Sequence, residues 1–399
     1  MQIIFGGDFF SGGDLLQNPA DKDFIQINEF FSADLRIVNL ENPISDNEEV
    51  EDKSTLYASS LALKHLKAFK IDAVALANNH IQDKKSKGLS DTFKNLYSED
   101  IKFFGAGKNK NEARSPLVFN VDNQKLALLG YCDFNKGYLK DVSLANDTDP
   151  GAAPLRYETI LEDVEKIKCA DRIVLFFHWG REHSWYPPKS DIDMTKKLLK
   201  HPKIILIIGT HPHLPQGYIK YNGKYAFMSL GNFLFPNFYI QKPVQIYYPK
   251  ERVENYDVIR GYHPVSRITY KKWKFLNRIS LLVNLDMNGN KIKFFPVIQD
   301  DNLPRVSKLQ GVSKHMLMCW IFILSQIYKL PYFLYWPLEK TNTFLLRISR
   351  TYPIAFFYLR EKGFLGFLKK VINFYSQNKV DEETCSYSKC ENSKAKANK

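Results

Sequence analysis

Five short apolar runs punctuate the first half of the chain: Ile3–Phe5, Leu35–Val38, Ala73–Leu76, Ile173–Phe177 and Ile204–Ile208. Each holds three to five apolar residues, rich in β-branched types, the pattern of strands buried on both faces. Between them, apolar residues recur at helical spacing. Leu61, Leu63, Leu66, Phe69 and Ile71 form one such stripe, and Leu89, Phe93, Leu96 and Tyr97 another. Ser190-Asp191-Ile192-Asp193, ahead of Met194 and Leu198, reads as a capping box opening a further helix. Strands alternating with helices predict an α/β domain with buried sheets.

Farther along, the punctuation changes. Asn222-Gly223 separates Tyr218–Tyr221 from Lys224–Met228, and Asn288-Gly289 separates Ile279–Leu285 from Ile292–Val297. Asn-Gly between apolar runs predicts tight hairpin turns, because both central positions of such a turn need positive φ. The stretch 236–265 is rich in Tyr and Pro with little periodicity, and reads as a long insertion or lid within a domain spanning 1–300. The pattern ends near Leu303-Pro304.

Residues 301–380 differ in composition. They hold 12 Lys and Arg against 3 Asp and Glu, which is +9 of the chain's formal net charge of +13, and 16 aromatic residues. The remainder is close to charge balance, so bulk charge gives no argument for a nucleic-acid partner, and none is expected. Hydrophobics at 44% and charged residues at 25% exclude a wholly disordered chain. The longest apolar stretch, Met316–Tyr328, has 13 residues, short of the roughly 20 a spanning helix needs. Ile354–Tyr375 mixes Phe and Leu with Arg360, Lys362, Lys369 and Lys370, a composition suited to a helix in a membrane interface. The alternative is a helical appendage packed on the α/β domain or on a second subunit. Residues 381–399, polar and of mixed charge, are expected to form a disordered tail.

Five cysteines without a CxxC pair point to reduced thiols. The amino terminus shows neither a basic leader nor a cleavable apolar stretch. The expected location is cytoplasmic, peripheral on the inner membrane face if residues 315–376 meet a membrane.

Candidate chemistry lies just past the predicted strands, where α/β enzymes keep their sites. In order these signals are Gly6-Gly7-Asp8, Asn39-Leu40-Glu41, Asn78-Asn79-His80, His178-Trp179-Gly180-Arg181-Glu182, Gly209-Thr210-His211-Pro212-His213 and Ser229-Leu230-Gly231-Asn232-Phe233. Taken singly, each is an ordinary cap, turn or core histidine. Together they bring carboxylates, an amide and imidazoles toward one rim, a donor set suited to Mn, Fe, Zn or Mg. Two such cations bridged by a carboxylate activate water against phosphoryl and related centres.

These motifs, in this order, resemble the CapA family of bacterial capsule and poly-γ-glutamate synthesis proteins, whose domain is related to the calcineurin-like metallophosphoesterases. The resemblance covers about residues 1–300. It implies a four-layer sandwich of stacked β-sheets flanked by helices, followed here by a carboxy-terminal helical region. It further implies one or two divalent metals. Asp8 and His213 would serve the first metal, Glu41 the bridge, and Asn79, His178 and His211 the second. His80 becomes the candidate general acid. Glu182 and Asn232 are candidate supports behind the ligands, and Arg181 or His183 a candidate partner for an anionic substrate group. One departure from the phosphoesterase pattern stands out: Asp8-Phe9-Phe10 replaces Asp-x-His at the first strand.

The implied function is a metal-dependent hydrolase or transferase using metal-activated water on a phosphate-ester or amide-linked anionic polymer, in capsule or cell-surface polymer synthesis. The alternative is a non-catalytic polymer-binding subunit of a membrane-associated capsule synthase or export complex, with residues 315–376 meeting the membrane or synthase subunits.

Overall fold

A computed structural model of the chain describes residues 1–394 apart from 122–123, 135–138, 140–141, 243, 252, 262–264 and 290. Two compact units are distinguished: residues 1–261 with 265–346, and residues 347–399 with 262–264.

Two mixed sheets form the heart of the first unit. In one, the parallel strands Gln2–Phe9, Leu35–Leu40, Ala73–Ala75 and Lys102–Phe104 are continued antiparallel by Ile279–Asp286 and Lys291–Gln299. In the other, Gln124–Cys132, Arg172–His178, Ile204–Thr210 and Lys224–Phe227 run parallel between two antiparallel edge strands, Leu117–Val121 and Tyr218–Tyr221. Side chains alternate across a strand, and both faces of these strands are apolar. Ile3, Phe5, Ile37 and Ala73 of the first sheet thus cluster with Leu128, Val174, Phe176 and Leu206 of the second. Ile4, Val38 and Val74 point the other way, onto Leu66, Leu89 and Phe93 of the helices Ala62–Ala68 and Lys85–Ser98. Ile173, Leu175 and Ile207 cover the opposite face with Ile160 and Ile192 of the helices Tyr157–Lys166 and Lys189–Leu198. The order helix, sheet, sheet, helix is the expected four-layer α/β sandwich.

All five apolar runs are strands. The Asn222-Gly223 hairpin forms as expected, with Asn222 at φ 46° and Gly223 at φ 80°. The capping box does not form. The helix starts at Lys189 directly after Pro188, so Ser190 is already inside its first turn and its hydroxyl donates to Asp191 Oδ1 at 3.1 Å. Gly7 lets the first strand run against the Ser229–Asn232 segment, since a Cβ there would lie 1.9 Å from the Gly231 carbonyl oxygen.

The insertion has its own architecture. Phe238–Gln241, Gln245–Tyr247, Asp257–Ile259 and Thr269–Lys271 make a separate four-stranded sheet, which carries the insertion past 265. Phe10 explains part of its attachment. Fully buried, this residue packs its ring 5.2 Å from Phe235 and 5.8 Å from Phe238. Phe10, just past the first strand, thus helps anchor the inserted sheet.

The helix Gly311–Ile327 is part of the first unit's core. Leu317 and Ile321 enter the cluster between the sheets, and Leu324, Tyr328 and Tyr335 enter the outer one. Tyr328 donates to the Trp185 carbonyl at 2.8 Å and Tyr335 to the Pro187 carbonyl at 2.6 Å. Asn342 Oδ1 accepts from Ser184 Oγ at 2.7 Å. A second helix, Tyr332–Lys394, is interrupted at Gly363, where φ is 64°. The stretch 381–399 begins within this helix, and its last residues, 395–399, lie outside the described residues. No helix among the described residues is long and apolar enough to cross a membrane.

Candidate metal centre

Parallel strands bring their carboxyl ends to one rim, and the six signals sit there. Asp8 is the penultimate residue of its strand and Glu41 follows Leu40. Asn79 and His80 follow the strand ending at Ala75, and His178 closes its strand. His211 and His213 follow Thr210. Both have positive φ, 93° and 53°, backbone that non-glycine residues seldom adopt.

Asp8, Glu41 and His213 form one close group of potential ligand atoms, and Glu41, His178 and His211 another. All five residues are buried. Glu41 is common to both groups, the place of a bridge. Asp8 is held by Asn39 Nδ2 at 2.9 Å and by the His211 backbone N–H at 3.0 Å.

His178 Nδ1 lies 3.1 Å from Thr210 Oγ1 and 3.4 Å from Asn39 Nδ2. His178 Nε2 lies 2.7 Å from Asn79 Oδ1, 3.0 Å from His211 Nδ1 and 3.8 Å from Glu41 Oε1. Asn232 Oδ1 accepts from His213 Nδ1 at 2.8 Å, turning His213 Nε2 toward Glu41 Oε1 at 3.6 Å. Both Glu41 carboxylate oxygens and His211 Nε2 are buried without a hydrogen-bond partner. Buried polar atoms are nearly always paired, and a divalent cation is the partner this donor set fits.

Protonation agrees with that fit. Burial, reinforced by the charge of Asp8, pushes the Glu41 carboxyl well above its ordinary range. Burial raises Asp8 too, against the opposing charge of His213. His211 is pushed down to about 3 by burial, and His178 is lowered by burial and by the neighbouring imidazoles. These two imidazoles stay neutral and able to ligate, while the carboxylates lack the positive charge that would hold them ionised.

His80 stands beside Asn79 with its Nδ1 2.6 Å from Asp83 Oδ2. A carboxylate only accepts, so Nδ1 carries the proton and the tautomer is fixed. Asp83 is fully buried. It also accepts from the Leu56 N–H at 2.6 Å and pairs with Lys53 Nζ at 2.9 Å. Lys53 donates in turn to the Asn79 carbonyl at 2.8 Å. Sequence patterning singles out neither Asp83 nor Lys53. The signal for Asp83 is its place three residues after His80; Lys53, in an unpatterned loop, gives none.

Arg181 and Glu182 follow His178 on the turn at the rim, and Glu182 acts on His211 and Glu41 through its charge. His183 Nδ1 lies 2.9 Å from Asn277 Nδ2. The segment following the inserted sheet adds a residue that sequence reasoning missed. The ring of Trp273 lies 5.5 Å from His213 and 6.4 Å from His183.

Residues 2–237 match the profile of the bacterial capsule synthesis protein family PGA_cap. The chain is 31% identical over 208 residues to the capsule biosynthesis protein CapA of Bacillus anthracis, covering 49% of each chain. It is 30% identical over 226 residues to the PGA biosynthesis protein CapA of Bacillus subtilis, covering 55% of this chain and 58% of that one. A probable polyglutamine synthesis accessory protein of Mycobacterium tuberculosis is 25% identical over 210 residues, 50% of this chain and 55% of the relative. The chain thus spans about half the length of the curated relatives it matches. Among solved structures, a calcineurin-like phosphoesterase from Bacillus subtilis aligns at 13% identity with a TM-score of 0.36, covering 82% of this chain and 97% of that one.

Proposed function

Because the chain belongs to the bacterial capsule synthesis family PGA_cap, we propose that it is a metal-dependent hydrolase or transferase acting on phosphate-ester or amide linkages of an anionic polymer made in capsule or poly-γ-glutamate synthesis. The observation that carries this reading is Glu41, whose two buried, unpartnered oxygens lie between two groups of potential ligands.

Asp8, Glu41 and His213 would hold one divalent ion, and Glu41, Asn79, His178 and His211 a second. Bound there, a divalent ion supplies Lewis acidity and acidifies water. The chain's own residues do the rest. Asp83, itself paired with Lys53, holds the His80 ring by Nδ1, so that Nε2, once it has taken up a second proton, is the nitrogen able to pass that proton to a leaving group. Arg181 pairs with an anionic group of the substrate. Outside the site, Val312, Met316, Phe333, Trp336, Phe344 and Leu345 are exposed apolar residues among Lys314, Lys329 and Lys340. They support docking of the 311–346 region on an anionic membrane face.

The test is hydrolysis by the full chain reconstituted with Mn²⁺, on phenyl phosphate, bis(p-nitrophenyl) phosphate and a γ-linked glutamate oligomer. The expected result is turnover of at least one substrate, abolished by chelation. His80→Gln should lower kcat about 100-fold or more on substrates with poor leaving groups. Retained metal without turnover would favour the non-catalytic polymer-binding subunit instead. Phe10 supports that second reading, because it removes a side chain the related phosphoesterases use at this strand.

A further inference from the structure

The rim beside His213 carries a second group of polar atoms that the metal centre does not use. Trp273, 7% exposed, has its indole Nε1–H buried without a hydrogen-bond partner. Lys271 Nζ lies 5.8 Å from the centre of that indole ring and donates to the Gly261 carbonyl at 2.7 Å. The Lys274 amine reaches the same place: a Cβ on Gly261 would lie 3.6 Å from Lys274 Nζ. Lys271 Nζ, the Gly261 carbonyl and the end of the Lys274 side chain therefore lie together past the ends of two strands of the inserted sheet, with the Trp273 ring beside Lys271. Lys271 is half-buried, and burial together with the charge of Lys274 pushes its amine down to about 8, the charge of Glu182 opposing. Like charges brought together beside a buried unpaired donor are unfavourable until an anion joins them.

We propose that Lys271, Lys274 and the Trp273 indole N–H form an oxyanion subsite next to the His213 end of the metal centre, which takes a carboxylate or phosphate group of the substrate. The inference rests on the reading of that substrate as an anionic polymer and adds where a charged group flanking the reacting linkage would sit. It also gives the inserted sheet a role, since the sheet that Phe10 anchors to the domain is the one that presents the subsite. Trp273 positions it, its ring set near His213 and His183.

The experiment is calorimetric titration of the full Mn²⁺-loaded chain with inorganic phosphate and, separately, with a γ-linked glutamate oligomer, for the wild type, Lys271→Met and Trp273→Phe. The phenylalanine keeps an aromatic ring and removes the donor. Lys271→Met should weaken binding of at least one anion about tenfold or more, as expected for a lost charged hydrogen bond. Trp273→Phe should weaken the same anion about threefold to tenfold. Metal content and melting temperature should be unchanged for Lys271→Met. Loss confined to phosphate would assign the subsite to a phosphoryl group, and loss confined to the oligomer to a carboxylate. Affinities within twofold of wild type in both variants, or no saturable binding of either anion by the wild type, would overturn the subsite. Failure of the hydrolase reading looks different: no turnover, but anion binding still weakened by Lys271→Met. Turnover with a KM indifferent to Lys271→Met would sink the subsite and leave the hydrolase standing.

Discussion

Glu41→Gln is expected to change the sign of its effect on stability with the metal. In chelated protein the substitution should stabilise the fold, by about 1–3 kcal/mol near neutral pH, because a buried and unpaired carboxylate is replaced by a neutral amide. In metal-loaded protein it should destabilise, because the wild type gains RT ln(1 + [L]/Kd) from bound metal and the variant loses that gain. The pH dependence follows from the direction of the shift. Burial and the Asp8 charge raise the Glu41 carboxyl well above its ordinary 4.5. The folded, chelated protein therefore keeps a proton that the unfolded chain releases as pH rises through 4.5, and stability from this group is lost above that point. Gln does not titrate, so its advantage in chelated protein should grow as pH rises from 4.5. His178 and His211 shift in the opposite sense, but they are present in both proteins and largely cancel from the difference. Denaturant melts of both proteins at several pH values, with Mn²⁺ and with chelator, measure all of this. Equal effects of the substitution in the two conditions would remove Glu41 from the metal centre.

The second large effect concerns the carboxy-terminal helices. A chain ending at Gln310 should fail to fold as a soluble domain, whereas one ending at Leu346 should melt cooperatively and bind metal. The shorter chain lacks Leu317, Ile321, Leu324, Tyr328 and Tyr335, all buried in the two clusters on either side of the second sheet. Large core side chains are worth about 2–5 kcal/mol each when removed. Five such losses equal or exceed the roughly 5–15 kcal/mol that keeps a domain folded. The Gly217 N–H would also lose the Tyr328 hydroxyl, and the Tyr218 N–H the Ser325 hydroxyl. Soluble yield and thermal melts of the two truncations decide the matter. A cooperative, soluble 1–310 fragment would show that these helices are accessory.

That helix also shows where sequence patterning stops being informative. Gly311–Ile327 is apolar around most of its circumference, and such a helix reads alike whether it is buried in a core or set in a membrane interface. Only its contacts distinguish the two. The parallel strands are legible because short, dense apolar runs rich in β-branched residues, bounded by polar motifs, suit a buried strand. The first five strand-end motifs are legible because each begins one or two residues past such a run. The inserted sheet is not legible as a sheet. Its strands are three or four residues long, too short for a period to register. Trp273 and Lys271 therefore give no sign in the sequence that they approach His213. Asp83 is hidden differently. An acidic residue one turn beyond His80 is unremarkable until burial and the Nδ1 contact give it a role. The capping box misleads because Pro188 already fixes where the helix begins.

Whether Asp8, Glu41, Asn79, His178, His211 and His213 form a metal centre decides everything built on them. Elemental analysis of the full chain, reconstituted with Mn²⁺ and desalted, answers that question without any assumption about substrate. About one or two ions should be retained per chain, as a carboxylate-bridged site would hold. No retained ion would contradict the metal centre and leave Glu41 a buried carboxylate without a partner.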